Sequence, residues 1–326
     1  MKIPARFTAT TRGWALSALC GLLILISQTV PGQEDLHELL PPAAADQSLS
    51  LAKIRTAFAS NDFPAAQAAI ENLIKLAPKN FEGYFWQGFL EFQKHNYSDA
   101  VLPLRQAQAL DNNIHVLKLL GLSYYFLGQF RLFARTMQEA IEKDPQDFAP
   151  YYYLGRYYAS TDATDFAKAT GYFQAALQRK PDHYSSHYYL GYCEESERKP
   201  KEAEAEYLRS IELAEAAGQK FAPPQQRMAQ LKLLSMKPLD ALPFARKAVS
   251  LDPRDATGHE VLARVYTHLH RQDEAAIEWE LAAELEPNNP TPFYRLYRIY
   301  LEAGNKQDAD QAYATYKSLV AIYGSN

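Results

Sequence analysis

Two histidines spaced four residues apart are the first candidates for chemistry in this chain. His183 and His187 would share one face of a helix, and Cys193, Glu194 and Glu195 follow, so the ligand types of a zinc site are present. A closed zinc site needs about four ligands that converge on one point. His183, however, falls at a position that ordinary loop residues occupy elsewhere in the chain. We therefore predict no metal site here.

The chain also lacks the short motifs that mark many enzymes. It has no Gly-rich phosphate loop, no G-x-S-x-G turn and no H-E-x-x-H pair. His268 and His270 are two residues apart and would point to different sides of a helix. We predict a non-enzymatic protein with no catalytic residues and no cofactor.

Composition and charge fit a helical protein without nucleic acid as a partner. Of the 326 residues 47% are apolar and 22% charged, and the 14 glycines are few. No alternating apolar and polar run is long enough to predict a sheet. The formal net charge is −4, and no basic stripe of the kind that nucleic acid requires is present.

The helices that would position the side chains recur at a period of roughly 34 residues. Each unit has a first helix (helix A) and a second helix (helix B). The residue at the eighth position of helix A is small, which lets helix B approach closely. The facing position of helix B is alanine. The small residues are Gly88, Gly121, Gly155, Gly191, Ala229 and Ala263 in helix A, and Ala66, Ala100, Ala169, Ala203, Ala241, Ala275 and Ala309 in helix B.

Large side chains and prolines complete the pattern. Four residues after each helix B alanine a large side chain fills the wedge between the helices, as in Leu104, Phe173, Tyr207, Trp279 and Tyr313. Proline lacks an amide hydrogen and blocks helix continuation, so it ends helix B. The terminating prolines are Pro78, Pro145, Pro181, Pro253 and Pro287.

This pattern resembles the tetratricopeptide repeat family over nearly the whole chain after its N-terminal segment. The resemblance implies an all-α fold, a right-handed superhelical α-solenoid of about eight helix–turn–helix repeats that bury a core only by stacking. The predicted repeats are residues 47–80, 81–113, 114–147, 148–183, 184–221, 222–255, 256–289 and 290–323.

Two departures from the repeat pattern are informative. The fourth repeat carries two extra residues around Thr161–Thr164, which predicts a longer turn. In the fifth repeat helix B is predicted to run on towards Ala217, until Gly218 and then Pro223-Pro224 end it. We predict a hinge there, between repeats 1–5 (residues 47–221) and repeats 6–8 (residues 222–326).

The inner face of the array is predicted to bind a partner. In this family helix A positions 2, 5, 9 and 12 line the inner groove, and here they are rich in aromatic and arginine side chains, the types enriched at binding hot spots. We expect that Tyr152 and Tyr188 can be truncated without loss of the fold. The predicted groove residues are Phe85, Phe89, Phe92, Tyr125, Tyr152, Arg156, Tyr188, Tyr192, Arg264 and Arg298.

These residues favour a scaffold or adaptor that holds a peptide segment or partner domain of another protein. Stacked aromatics also suit sugar rings, so glycan binding in cell-envelope polysaccharide handling or export is the alternative. Family members that bind chaperone C-termini use Lys and Asn at fixed groove positions. The matching positions here hold Leu51, Arg55, Trp86, Phe89 and His115, so chaperone docking is not expected.

The first 32 residues are predicted to be an export signal. Lys2, Arg6 and Arg12 precede an apolar run over residues 14–26, which has the length of a signal-peptide core and is short for a spanning helix. Cleavage after Gly32 would leave residues 33–46 as a linker and a periplasmic or secreted protein. The alternative is an uncleaved membrane anchor at residues 14–26. If cleavage occurs, Cys193 is the sole cysteine of the mature chain, and its position predicts a buried side chain.

Overall fold

The computed structural model describes residue 39, residues 49–160 and residues 164–323. The predicted signal or anchor therefore lies outside the described residues, as does the predicted linker apart from Leu39. Residues 161–163, in the longer turn predicted for the fourth repeat, also lie outside them.

The described residues form sixteen helices arranged as eight successive pairs, which confirms the predicted all-α solenoid. Helix A of each pair is odd-numbered and helix B even-numbered. The helices are α1 Leu49–Ala59, α2 Phe63–Leu76, α3 Phe81–Gln93, α4 Tyr97–Leu110, α5 Ile114–Phe126, α6 Phe130–Lys143, α7 Ala149–Ser160, α8 Phe166–Arg179, α9 Tyr184–Ser196, α10 Pro200–Ala216, α11 Pro223–Leu234, α12 Pro238–Leu251, α13 Ala256–His268, α14 Gln272–Leu285, α15 Pro290–Glu302 and α16 Lys306–Tyr323.

Each helix packs on the next helix along the chain, most extensively within a repeat. The close approach within a pair depends on the small residues that the sequence singled out. A Cβ atom added at Gly155 would lie 2.7 Å from the Phe173 ring, and one at Gly88 would lie 2.5 Å from Leu104 Cγ. The matching helix B alanines are fully or almost fully buried. The wedge side chains are also buried except Tyr313, which is partly exposed in the last repeat.

Local sequence signals set the ends of the helices. Asparagine or aspartate caps several A helices; Asn80 Oδ1, for example, accepts a hydrogen bond of 2.9 Å from the Glu82 amide. Proline ends the B helices as predicted, since α6 stops at Lys143 before Pro145 and α8 stops at Arg179 before Pro181.

The predicted break after the fifth repeat is present. Helix α10 has 17 residues and ends at Ala216, and Gly218 follows with a left-handed φ of 69°. Such a backbone conformation favours glycine. Helix α11 then begins at Pro223, with proline in its first turn. The sequence therefore identified this irregularity correctly.

Candidate binding groove

The predicted groove residues differ sharply in exposure along the array. We call the helix A positions 2, 5, 9 and 12 the inner stripe. Its described side chains are buried or half-buried in the first six repeats, whereas Arg264 and Thr267 in the seventh repeat and all four side chains in the eighth are exposed. The inner stripe is therefore not one uniform surface.

In the first two repeats the inner stripe belongs to an aromatic cluster. The Phe58 ring lies 5.4 Å from Trp86 and 5.1 Å from Phe89, and the Trp86 and Phe89 rings are 5.5 Å apart. Phe85 is fully buried beside them, 5.7 Å from Trp86. The contacts of Phe58 with Trp86 and Phe89 join the first helix pair to the second, so Phe89 helps to hold the two repeats together.

Phe92 and Tyr125 make contacts of the same kind. Phe92 is buried, with its ring 5.2 Å from Tyr97 and 5.7 Å from Phe126. Tyr125 is half-buried and lies 5.2 Å from Phe133, on helix B of its own repeat. Much of the surface of both rings is therefore used in packing.

In the fourth repeat an arginine is stacked on tyrosines. The Arg156 guanidinium lies 5.6 Å from the Tyr152 ring and 5.2 Å from the Tyr189 ring, both suited to cation–π attraction. Tyr152 is only 3% exposed, and its ring lies 4.8 Å from His183. Truncating Tyr152 would therefore remove packed contacts, contrary to the expectation that its loss would spare the fold.

A second arginine is held between the fifth and sixth repeats. Tyr188 and Tyr192 are half-buried, and the Arg227 guanidinium lies 4.9 Å from the Tyr192 ring. Arg227 Nη1 is 3.9 Å from Glu195 Oε1, while the Tyr207 hydroxyl donates to Glu195 Oε2 at 2.7 Å. Burial raises the pKa of Tyr188 to about 12, so this phenol stays neutral and can donate a hydrogen bond.

Arg227 was not among the predicted groove residues. It lies on helix A of the sixth repeat, a weak match to the repeat pattern, and outside the four stripe positions. Its approach to Tyr192 depends on how repeat 6 is seated on repeat 5. No signal in the sequence marks that geometry.

The inner stripe of the last two repeats is more exposed than that of the others. Arg264 on α13 and Arg298 on α15 occupy equivalent positions and are exposed, and Tyr294 one turn before Arg298 is 39% exposed. Arg298 Nη2 lies 3.5 Å from Glu302, and both of these side chains are more than half exposed. Such a contact holds the guanidinium weakly, which leaves it able to turn to a ligand.

The histidine pair has structural roles. His183 caps α9, and its Nδ1 accepts a hydrogen bond from the Ser186 amide at 3.3 Å. Burial lowers the pKa of His183 to about 3, so the ring is neutral at pH 7. His187 Nδ1 lies 2.6 Å from Glu206. In the described part of the chain no group of three or more His, Cys, Asp or Glu side chains is placed to hold a metal.

Cys193 is fully buried, as its position in the repeat predicted. Burial raises the pKa of its thiol to about 12. The thiolate, which is the reactive form, is therefore suppressed at neutral pH.

None of the sixteen described helices combines the length and the apolar character needed to cross a membrane.

Comparison with protein families identifies the array. Residues 51–113, 161–219 and 229–290, together more than half of the chain, match a family model described as tetratricopeptide repeat. The chain belongs to the tetratricopeptide repeat family. Its repeats make it a protein–protein interaction scaffold of the kind this family provides. No curated protein sequence matched the chain.

Solved structures share the fold at low sequence identity. PilF of Pseudomonas aeruginosa matches 68% of this chain and 97% of its own, with 17% identity and a TM-score of 0.59. The C-terminal part of a repeat protein from Cytophaga hutchinsonii matches 74% of this chain and 98% of its own, with 17% identity and a TM-score of 0.52. A chain of the APC/C hetero-tetramer Cut9–Hcn1 matches 90% of this chain and 56% of its own, with 15% identity and a TM-score of 0.60. These similarities concern the fold alone.

Proposed function

We propose that this tetratricopeptide array is a non-enzymatic adaptor that binds a segment of another protein along its inner stripe. The observation that carries the proposal is the exposed row of Arg264, Tyr294 and Arg298 in the last two repeats. The fold does not require these side chain types at exposed positions, so their presence favours binding.

The chemistry of this row suits a polypeptide ligand. Each guanidinium offers five N–H donors in a rigid fork, which matches backbone carbonyls and carboxylates. Tyr294 adds a flat apolar face with a hydroxyl at its edge, 6.2 Å from the Tyr297 ring. Arginine and tyrosine are the residue types that contribute most at protein interfaces. An extended segment with acidic side chains fits these donors best.

The test is capture of partners from an extract of the host cell, including its envelope fraction. The bait is the full chain, compared with the double variant Arg264→Ala and Arg298→Ala. Truncating one hot spot typically costs about 2 kcal/mol, which is ~30-fold in affinity, so recovery should fall at least about tenfold.

A matched control removes two exposed arginines from B helices, Arg131→Ala and Arg209→Ala, and should leave recovery unchanged. Equal recovery by wild type and the Arg264 and Arg298 variant would refute this surface as the binding site. Digesting the extract with protease before capture separates the ligand classes. Loss of the ligand shows a polypeptide, whereas a captured ligand that survives digestion would support the glycan alternative.

A further inference from the structure

Leu39 is packed into the inner side of the array. It is the only described residue before α1, and it is 0% exposed. It belongs to the same apolar cluster as Phe85, Val116 and Tyr152, which come from three different repeats. Its carbonyl oxygen lies 3.3 Å from His115 Nδ1, a contact between residues 76 positions apart.

The position of His115 shows where in the array Leu39 makes this contact. His115 lies in the first turn of α5 and occupies position 2 of the inner stripe in the third repeat. Lys118 follows at position 5, almost fully buried, with its ammonium 2.7 Å from Asp147 Oδ2. Leu39 therefore contacts the inner stripe of the third repeat. About ten residues separate Leu39 from α1, enough to span roughly 30 Å.

Burial of the inner stripe differs between the repeats near Leu39 and the last two repeats. In repeats 2–4 Phe85, Lys118, Tyr152 and Arg156 are all at most 6% exposed. In repeats 7 and 8 the equivalent Arg264 and Tyr294 are exposed, although the helix pairs are built in the same way. The inner positions of a solenoid face a groove, and Leu39 adds a segment of chain to the ring and ion-pair contacts that bury them at this end of the array.

The sequence around Leu39 complements that part of the groove. Leu36, Leu39 and Leu40 are spaced i, i+3 and i+4, the spacing that forms one apolar face on a helical turn. Residues 33–46 hold four acidic side chains and no lysine or arginine. The inner stripe of repeats 3 and 4 carries Lys118, which is paired with Asp147, and Arg156.

We propose that the acidic, leucine-bearing segment 33–46 is an intramolecular ligand of the inner stripe in repeats 2–4, anchored by Leu39. An external partner for this part of the groove is then a peptide of the same chemistry, and it binds only by displacing the segment. The inference rests on the proposed function in one respect, that the inner stripe is a binding surface.

The test uses a fluorescent synthetic peptide of residues 33–46 as the probe, with binding to the full chain followed by fluorescence anisotropy. In the wild type the tethered segment competes with the probe at an effective concentration of about 1 mM. For a peptide Kd of about 10 μM, the apparent affinity is then ~100-fold weaker than for an open groove. The variant Leu39→Asp removes the competitor and should bind the probe ~100-fold more tightly than wild type.

The matched control is Leu49→Asp, the same substitution at a leucine that is 73% exposed. It should leave probe binding as weak as in the wild type. Circular dichroism should show equal helix content in all three proteins. If Leu39→Asp does not fold, Leu39→Ala provides the same comparison without a new charge.

Equal probe binding by wild type and Leu39→Asp would overturn the proposal, and so would tight binding by the Leu49→Asp control. A probe that itself carries Leu39→Asp should fail to bind, and retained binding would remove Leu39 as the anchor. A wild-type dimer in light scattering that Leu39→Asp abolishes would assign the segment to a second copy and overturn the intramolecular contact. Partner capture by Arg264 and Arg298 is measured separately, so either proposal can fail alone.

Discussion

The four glycines at the eighth position of A helices leave no space for a methyl group, and this sets the distance between the helices of four repeats. A Cβ atom would lie 2.5 Å from Met137 Cε at Gly121 and 2.9 Å from the Tyr207 ring at Gly191. At Gly155 it would lie within 3 Å of three atoms of the Phe173 ring, which is fully buried and has no room to move. The two helices would have to separate.

Gly155→Ala should therefore destabilise the protein. Overpacking of this kind typically costs about 1–3 kcal/mol of unfolding free energy. The control is Gly171→Ala on α8, where an added Cβ would meet no atom within 4 Å. There the loss of backbone freedom in the unfolded chain should raise the unfolding free energy by about 0.5–1 kcal/mol. Urea denaturation measures both, and a shift in the same direction for both variants would contradict the steric explanation.

At this scale the sequence predicted the packing better than the binding surface. Small residues at the eighth position and wedge residues such as Phe173 are set by contacts within one repeat, so their spacing is visible in the chain. The burial of Tyr152 and Arg156 depends on contacts with Tyr189 of the next repeat, which the spacing within one repeat does not encode. Arg264 and Arg298 are exposed in the structure, and their role in binding stays a prediction.

Among the elements, the junction between α10 and α11 has an unusual composition. Three ion pairs cross from the fifth repeat to the sixth: Lys232 with Glu204 at 2.5 Å, Lys247 with Glu215 at 3.4 Å, and Arg227 with Glu195 at 3.9 Å. The apolar residues of this junction form a small cluster separate from the larger ones on either side. Ion pairs therefore supplement the apolar packing at this junction.

We predict that salt loosens this junction selectively. Exposed or half-exposed pairs contribute a few tenths of a kcal/mol each and are screened at high ionic strength. Raising NaCl from about 0.05 M to about 1 M shortens the Debye length to about 3 Å and screens these pairs. Their loss, about 1 kcal/mol together, should speed hydrogen exchange of the α10 and α11 amides about fivefold.

The junction of repeats 6 and 7 is the internal control, because no ion pair between described side chains crosses it. Exchange there should change little with salt. Equal acceleration at both junctions would show that the ion pairs do not hold repeat 6 in place. Uniform protection across α10 and α11 at low salt would also refute the proposed hinge.

The break in the chain was predictable at the element scale, but the ion pairs were not. Gly218 and the two prolines interrupt a helix whatever the surrounding structure, so their effect can be read from the sequence. Pairing of Lys232 with Glu204 depends instead on the register in which two helices from different repeats face each other. That register is fixed only when the repeats stack.

For the molecule as a whole, we propose that the array works outside the cytoplasm. The support is the charged and then apolar start of the chain, with Lys2, Arg6 and Arg12 ahead of residues 14–26. Cleavage after Gly32 would keep Leu39 in the mature protein, so export and the intramolecular ligand are compatible.

N-terminal sequencing of the protein made in its own host tests this proposal. The expected first residue lies near Gln33, in an envelope or culture fraction. An intact chain in the membrane fraction would support the anchor alternative, and a cytosolic chain beginning at Met1 would refute export.

The two buried tryptophans give the array an optical label at either end. Trp86 packs among the aromatic rings of the second repeat, and Trp279 fills the wedge of the seventh. Indole emission moves to longer wavelength when water reaches the ring, so each tryptophan reports the melting of its own neighbourhood. Repeats stabilise only their neighbours, and the two ends can therefore lose structure at different denaturant concentrations. Intrinsic tryptophan fluorescence can thus show which end of the molecule opens first.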